Sequence, residues 1–143
     1  MKTHTKYILL LAVFGLTIHF SSCDKTDDPS AQELQLRKLT GKTWSMQSVY
    51  VDGVDRSSLF DDMQLTIEEN TFTTTNGGMV WPSSETWHFS NPQGTVIERG
   101  DQMIVNIIEV TEVSLKLSLT WAETTFGPGR SKSIAGEYIF SFN

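Results

Sequence analysis

Few side chains in this sequence are placed to do chemistry, and the one in the most telling position is Cys23, the single cysteine among 143 residues. With no second thiol an internal disulfide is impossible, so the sulfur serves something other than cross-linking. Of three histidines only His88 lies beyond the first 22 residues. One imidazole without a second His or a free Cys cannot assemble a zinc set, and no Gly-x-Ser-x-Gly elbow, Walker loop or dinucleotide fingerprint is present. Carboxylates cluster at Glu68-Glu69, Asp61-Asp62 and Asp52 with Asp55, spacings that serve acid/base work or calcium binding when the groups converge. Adjacent strand residues point to opposite faces, which separates Glu68 from Glu69, and aspartates in loops are turn formers. No catalytic residue, metal site or cofactor is therefore expected, and the chain does not read as an enzyme.

The segment before Cys23 supplies its explanation. Lys2 and Lys6 precede an apolar run over residues 7–20, which makes a positive n-region and a compact h-region. The run falls short of the roughly 20 apolar residues that cross a bilayer core as a helix, so an export signal is the better reading. Phe20-Ser21-Ser22-Cys23 resembles a lipobox: small residues let a peptidase approach the backbone before the cysteine, and the thiolate is the nucleophile that takes the lipid. The polar flanks make a poor site for an ordinary buried cysteine. Residues 1–22 are thus expected to be a lipoprotein signal peptide, and 23–30 a lipidated, polar, Pro-containing tether. Acyl chains gain about 0.8 kcal/mol per buried methylene, which holds a multiply acylated chain on its membrane.

Composition narrows the remainder. The formal net charge is -6, and without Lys2 and Lys6 nine Lys and Arg face seventeen Asp and Glu, a net of -8. No basic stripe survives to neutralise phosphates, so nucleic acid is set aside as a partner. After Trp44 the sequence is rich in β-branched and aromatic residues punctuated by Gly, Asn, Asp and Pro, the vocabulary of short strands and tight turns.

Residues 31–143 should then form one all-β domain behind a short helix. Ser30-Ala-Gln-Glu33 matches a capping box, predicting a helix over 31–38. Trp44, Met46, Ser48 and Tyr50 alternate as one face of a first strand, ended by the Asp52-Gly53 turn. A helical turn is expected within 57–62, and Met63, Leu65 and Ile67 should face inward. Asn76-Gly77-Gly78 reads as a tight hairpin after the strand 71–75, and Trp87 and Phe89 should share the inner face of 85–90. Asn91-Pro92-Gln93-Gly94 closes that strand, and Gly100-Asp101 reads as a two-residue hairpin between 95–99 and 102–110. Val113, Leu115, Leu117, Leu119 and Trp121 define the cleanest core-facing run, and Tyr138, Phe140 and Phe142 should point inward from the last strand. About eight strands with short turns are best closed as a small antiparallel up-and-down barrel, which removes exposed edges, with a two-sheet β-sandwich as the alternative.

Leu39-Thr-Gly-Lys-Thr-Trp44, Trp81-Pro82, Glu85-Thr-Trp87-His-Phe89 and the run 113–119 together resemble the lipocalin-like lipoproteins of Bacteroidetes, over about residues 39–143. Gly41 and Trp44 are similar to the Gly-x-x-Trp opening of lipocalins, whose tryptophan closes the barrel base. The resemblance implies a barrel and an address, and no reaction. Asp24-Lys25-Thr26-Asp27-Asp28 resembles the acidic export signal of such lipoproteins, which implies a lipid-anchored protein of the outer membrane, exposed at the cell surface. The alternative placement is the periplasmic face of either membrane.

Two function classes follow. In the first the barrel binds a small hydrophobic molecule or a glycan fragment, with Trp81 in the loop 77–84 stacking on it and Arg130, in the loop 126–135, meeting an anionic group. The same tryptophan could instead cap the core. In the second the interior is packed solid and the domain is a structural or assembly module that holds an envelope protein. Both need the anchor, and Cys23→Ala should leave the protein unlabelled by radioactive palmitate and release it from the membrane fraction.

Overall fold

The computed structural model describes residues 28–125 and 133–143; the expected signal peptide, Cys23 and Arg130 lie outside them. The described residues begin with one helix, α1 (Ala31–Leu39). Its capping box forms as the spacing predicts: the Ser30 hydroxyl accepts the Glu33 N–H at 3.2 Å, and the Glu33 carboxylate accepts the Ser30 N–H at 2.7 Å. Nine strands follow: β1 (Thr43–Val51), β2 (Val54–Asp55), β3 (Gln64–Ile67), β4 (Thr71–Thr75), β5 (Ser84–Phe89), β6 (Val96–Arg99), β7 (Ile104–Val110), β8 (Leu115–Trp121) and β9 (Gly136–Phe142). A 3-10 turn, Ser57–Leu59, links β2 to β3.

Every pairing is antiparallel and between sequence neighbours, except that β1 also pairs with β3, past the two-residue β2, and with β9. That pairing closes eight strands into an up-and-down barrel and decides against the sandwich; β2 is a two-residue addition on β1. Two strands form corners. Thr43 to Ser45 of β1 bond β3, whereas Met46 to Val51 bond β9. Ser84 to Thr86 of β5 bond β4, whereas Trp87 to Phe89 bond β6. The hydrogen bonds thus change partner along each of these strands, and that lets a twisted sheet fold back on itself.

The corner in β1 overturns one expectation. A bulge between Met46 and Ser48 shifts the alternation by one, so Val49 and Val51 point inward and Tyr50 faces solvent. A uniform period of two could not anticipate the extra residue. The Asp52-Gly53 turn forms as expected, both residues in the left-handed region at φ 48° and 78°, joining Val51 directly to Val54.

Three connections differ from their sequence reading. Asn76-Gly77-Gly78 does not close a tight hairpin: β4 and β5 are separated by eight residues, 76–83, in which the Trp81 N–H bonds Gly77 O at 3.0 Å and turns Val80 and Trp81 into the barrel. Burial of those two side chains outweighs the compact turn. A Cβ on Gly77 would meet the Trp81 backbone and Cβ at 2.5 Å, which is why this position is glycine. The β6–β7 turn holds three residues rather than two, with Gln102 at φ 69°. Finally, Val113 does not face the core. It is 75% exposed at the tip of a Thr111–Ser114 turn closed by Thr111 N–H to Ser114 O at 2.8 Å, and β8 begins only at Leu115.

The strands run alternately between two ends. At one end lie α1 and the turns 68–70, 90–95 and 111–114; at the other lie 52–63, 76–83, 100–103, 122–125 and 133–135. α1 closes the first end. Leu39 is fully buried, Trp44 Nε1 donates to Leu39 O at 2.9 Å, and Gln32 Nε2 donates to Asn91 O at 2.8 Å. The indole at position 44 therefore sits at the barrel base.

Between the ends the interior is filled by inward residues of every barrel strand, among them Leu65, Ile67, Phe72, Ile97, Leu117 and Leu119. Phe140 is the hub: its ring meets Phe60 at 5.1 Å and Trp81 at 5.9 Å edge-on, and stacks with Tyr138 and Phe142. Each such pair adds about 0.5–1.5 kcal/mol beyond its area. Outside, β1, β3, β4 and β5 present a row of hydroxyls at Thr43, Thr66, Thr73 and Ser84, one per strand. Phe140→Ala should cost about 3–5 kcal/mol, read as a lower urea midpoint at an unchanged slope.

Candidate functional site

The most unusual chemistry among the described residues lies at the end opposite α1. β6 alternates Ile97 and Arg99 inward, so period two drives a guanidinium into the barrel, where its side chain is 1% exposed. Burying a cation is costly unless it is paired and hydrogen-bonded. Here both conditions hold. Arg99 Nε donates to Asp101 Oδ1 at 3.1 Å, Nη2 pairs with Asp101 Oδ2, and Nη1 donates to Val80 O at 2.8 Å. The guanidinium also lies 5.0 Å from the Trp81 ring centre and 5.8 Å from that of Phe72.

Arg99 thereby ties the β6–β7 turn to the loop 76–83. The three-residue form of that turn follows from the same pair, because Asp101 must swing back to reach Arg99 while its Oδ1 also accepts the Met103 N–H at 3.2 Å. Burial pushes the Asp101 carboxyl up, but the Arg99 hydrogen bonds and charge and the Met103 N–H outweigh it and hold it below the usual carboxylate value.

Trp81 is on the loop that the sequence indicated, but it serves the core. It is 4% exposed, with Phe72 edge-on at 5.4 Å, Phe140 edge-on at 5.9 Å and Arg99 over its ring. In this arrangement no face of the indole is open to stack on a sugar. Thr74 fastens the loop from behind, its hydroxyl donating to Pro82 O at 2.8 Å. Trp81 Nε1 is buried and finds no acceptor among the described residues, a deficit of about 1–3 kcal/mol. The apolar and cationic contacts around the ring evidently exceed it.

Behind the indole is a void of about 10 Å³ lined by Leu65, Phe72, Trp87, Ile97 and Leu117 together with Trp81 and Arg99. That is about the volume of one water, and its accessible lining is wholly apolar, so it behaves as a dry packing defect.

The other candidates from the sequence do not converge. His88 is 65% exposed on the outer wall, 3.8 Å from Glu98. Asp55 accepts from the Ser57 hydroxyl at 2.7 Å and the Ser57 N–H at 2.9 Å, bonds that lower its pKa; Asp52 Oδ1 accepts the Glu137 N–H at 2.9 Å. Both aspartates thus hold turns. Glu68, Glu69, Asp61 and Asp62 are exposed. No group of three or more His, Cys, Asp or Glu side chains comes together as a metal site among the described residues. An open groove between α1 and β5 places Glu33, Glu69 and His88 on its rim, with Leu36, Trp87 and Phe89 as its floor; Glu33 is already committed to the helix cap.

Arg99 itself was overlooked in the sequence. The signal was there: Ile97 and Arg99 share a parity, and an arginine in phase with a core isoleucine is worth weighing as buried.

Comparison with protein-family models, with curated proteins and with solved structures finds no match to this chain.

The Asp101 carboxyl is held low in the folded state, so its contribution to stability is complete above the ordinary value of 3.8 and is lost as pH falls through the lower folded value. Melting of the wild type and of Asp101→Asn across pH 7 to 2 should show a gap that is constant at neutral pH and narrows only in strong acid. A gap independent of pH would remove the charge from the role of Asp101.

Proposed function

We propose that this chain is a lipid-anchored envelope lipoprotein, exported on residues 1–22 and acylated at Cys23, whose barrel is a structural or assembly module for a protein partner. The outer membrane, cell-surface side, is the location that the acidic stretch after Cys23 favours. The observation carrying the choice of module is the filled interior. Sites for small molecules run to about 300–1,000 Å³, against a void of about 10 Å³ inside the barrel; the larger spaces, about 280 Å³ between α1 and β5 and about 400 Å³ over β4 and β5, are open grooves on the outside. The residue expected to stack on a ligand, Trp81, is spent on packing. A domain with no lumen offers its partners its outer surface, its grooves and its turns.

Support for the anchor comes from the leader and the residues preceding the cysteine. No helix among the described residues is long and apolar enough to cross a membrane.

The native protein extracted from membranes should carry acyl mass on its N-terminal peptide, and protease added to whole cells should cleave the domain. Its melting midpoint should stay flat against a panel of lipids and oligosaccharides, because a ligand absent from the fold cannot bias unfolding. A midpoint that rises with any of them returns the small-ligand reading to first place.

A further inference from the structure

The end of the barrel closed by α1 is also the end from which the tether leaves. Seven residues, Asp24 to Ser30, separate Cys23 from α1. At random-coil dimensions a chain of that length spans about 15 Å r.m.s., whereas seven-residue strands such as β7, β8 and β9 are about 23 Å long, or about 17–18 Å of wall height at the usual barrel tilt. The α1 end therefore stays nearer to any surface that holds Cys23 than the far end does.

That end carries two exposed apolar side chains with cations beside them. Val113 is 75% exposed on a turn held by the Thr111 hydroxyl, which accepts the Val113 N–H at 3.2 Å and the Ser114 N–H at 2.9 Å. A hydrophobic residue at the tip of so braced a turn gains nothing for the fold. Lys42 Nζ donates to the carbonyl of Glu112, the residue next to Val113, so an ammonium and an apolar tip are neighbours. On α1, Leu34 is 45% exposed, with Arg37 and Lys38 three and four residues on along the same side. Arg37, Lys38 and Lys42 are half of the six Lys and Arg side chains in the described residues.

We propose that this end docks on the bilayer surface, Val113 and Leu34 entering the headgroup layer and the three cations meeting anionic headgroups. Apolar residues flanked by Lys and Arg are what an interfacial surface presents. Asp28, Glu33, Glu68, Glu69 and Glu112 share this end and outnumber its three cations, so the surface does not recruit the protein by itself. The lipid supplies attachment, and this surface decides which way the barrel faces, leaving the loops 76–83 and 100–103 outermost. The inference rests on acylation of Cys23.

The test uses the full chain purified from membranes and reconstituted into phosphatidylethanolamine/phosphatidylglycerol vesicles containing brominated lipid. With the sulfur of Cys23 acylated, Val113→Cys and, at the far end, Met79→Cys each offer one thiol for an environment-sensitive fluorophore; Met79 is 43% exposed. Lipid bromine should quench the label at 113 severalfold more than the label at 79. Equal or reversed quenching in an acylated sample overturns the docking and leaves the anchor standing. A label at 113 that is shielded but not quenched assigns the surface to a second copy or another protein, and likewise overturns it. Intact mass of the same preparation reads the anchor separately: an unacylated Cys23 removes the reading beneath the proposal.

Discussion

Closure of β1 onto β9 is the interaction from which the rest of this structure follows. Once eight strands form a ring, their inner faces enclose a space about as wide as two opposing layers of side chains, and it is either filled or hollow. Here it is filled. The ring also satisfies the backbone groups that open strand edges would expose, leaving β2, two residues long, as the free edge among the described residues. The bulge in β1 and the change of partner along β5 are local costs of bending the sheet into that ring.

A closed barrel has two open ends, and this chain seals them by different means. The α1 end is apolar and economical: a capped helix, a buried leucine and an indole bonded to a helix carbonyl. The far end relies on a loop folded inward, and holding it requires a buried guanidinium, an aspartate at the rim and an indole N–H with no acceptor among the described residues. The outcome is an interior filled by side chains, with a void of about 10 Å³.

Much of the architecture was legible because it rests on short-range chemistry. The Ser30–Glu33 box, the Asp52-Gly53 turn and the inward series Met63-Leu65-Ile67, Leu115-Leu117-Leu119 and Tyr138-Phe140-Phe142 each depend on one segment's own periodicity or backbone preference. The misreadings have two causes. Tyr50 changed faces at a bulge where β1 turns toward β9, and the loop 76–83 replaced a hairpin because Val80 and Trp81 pack into the barrel; both were settled by distant parts of the chain. Val113 left the core because a local turn over 111–114 took it.

By itself the order of residues determined an acidic all-β domain with a capped helix and a set of short strands, since composition, periodicity and motif spacing are local properties. Only the tertiary structure decided that the sheet closes, that Trp81 is core rather than platform, and that Arg99 lies inside the barrel against Asp101. Whether a side chain is buried depends on what the remainder of the chain brings to meet it, and neither periodicity nor residue type records that.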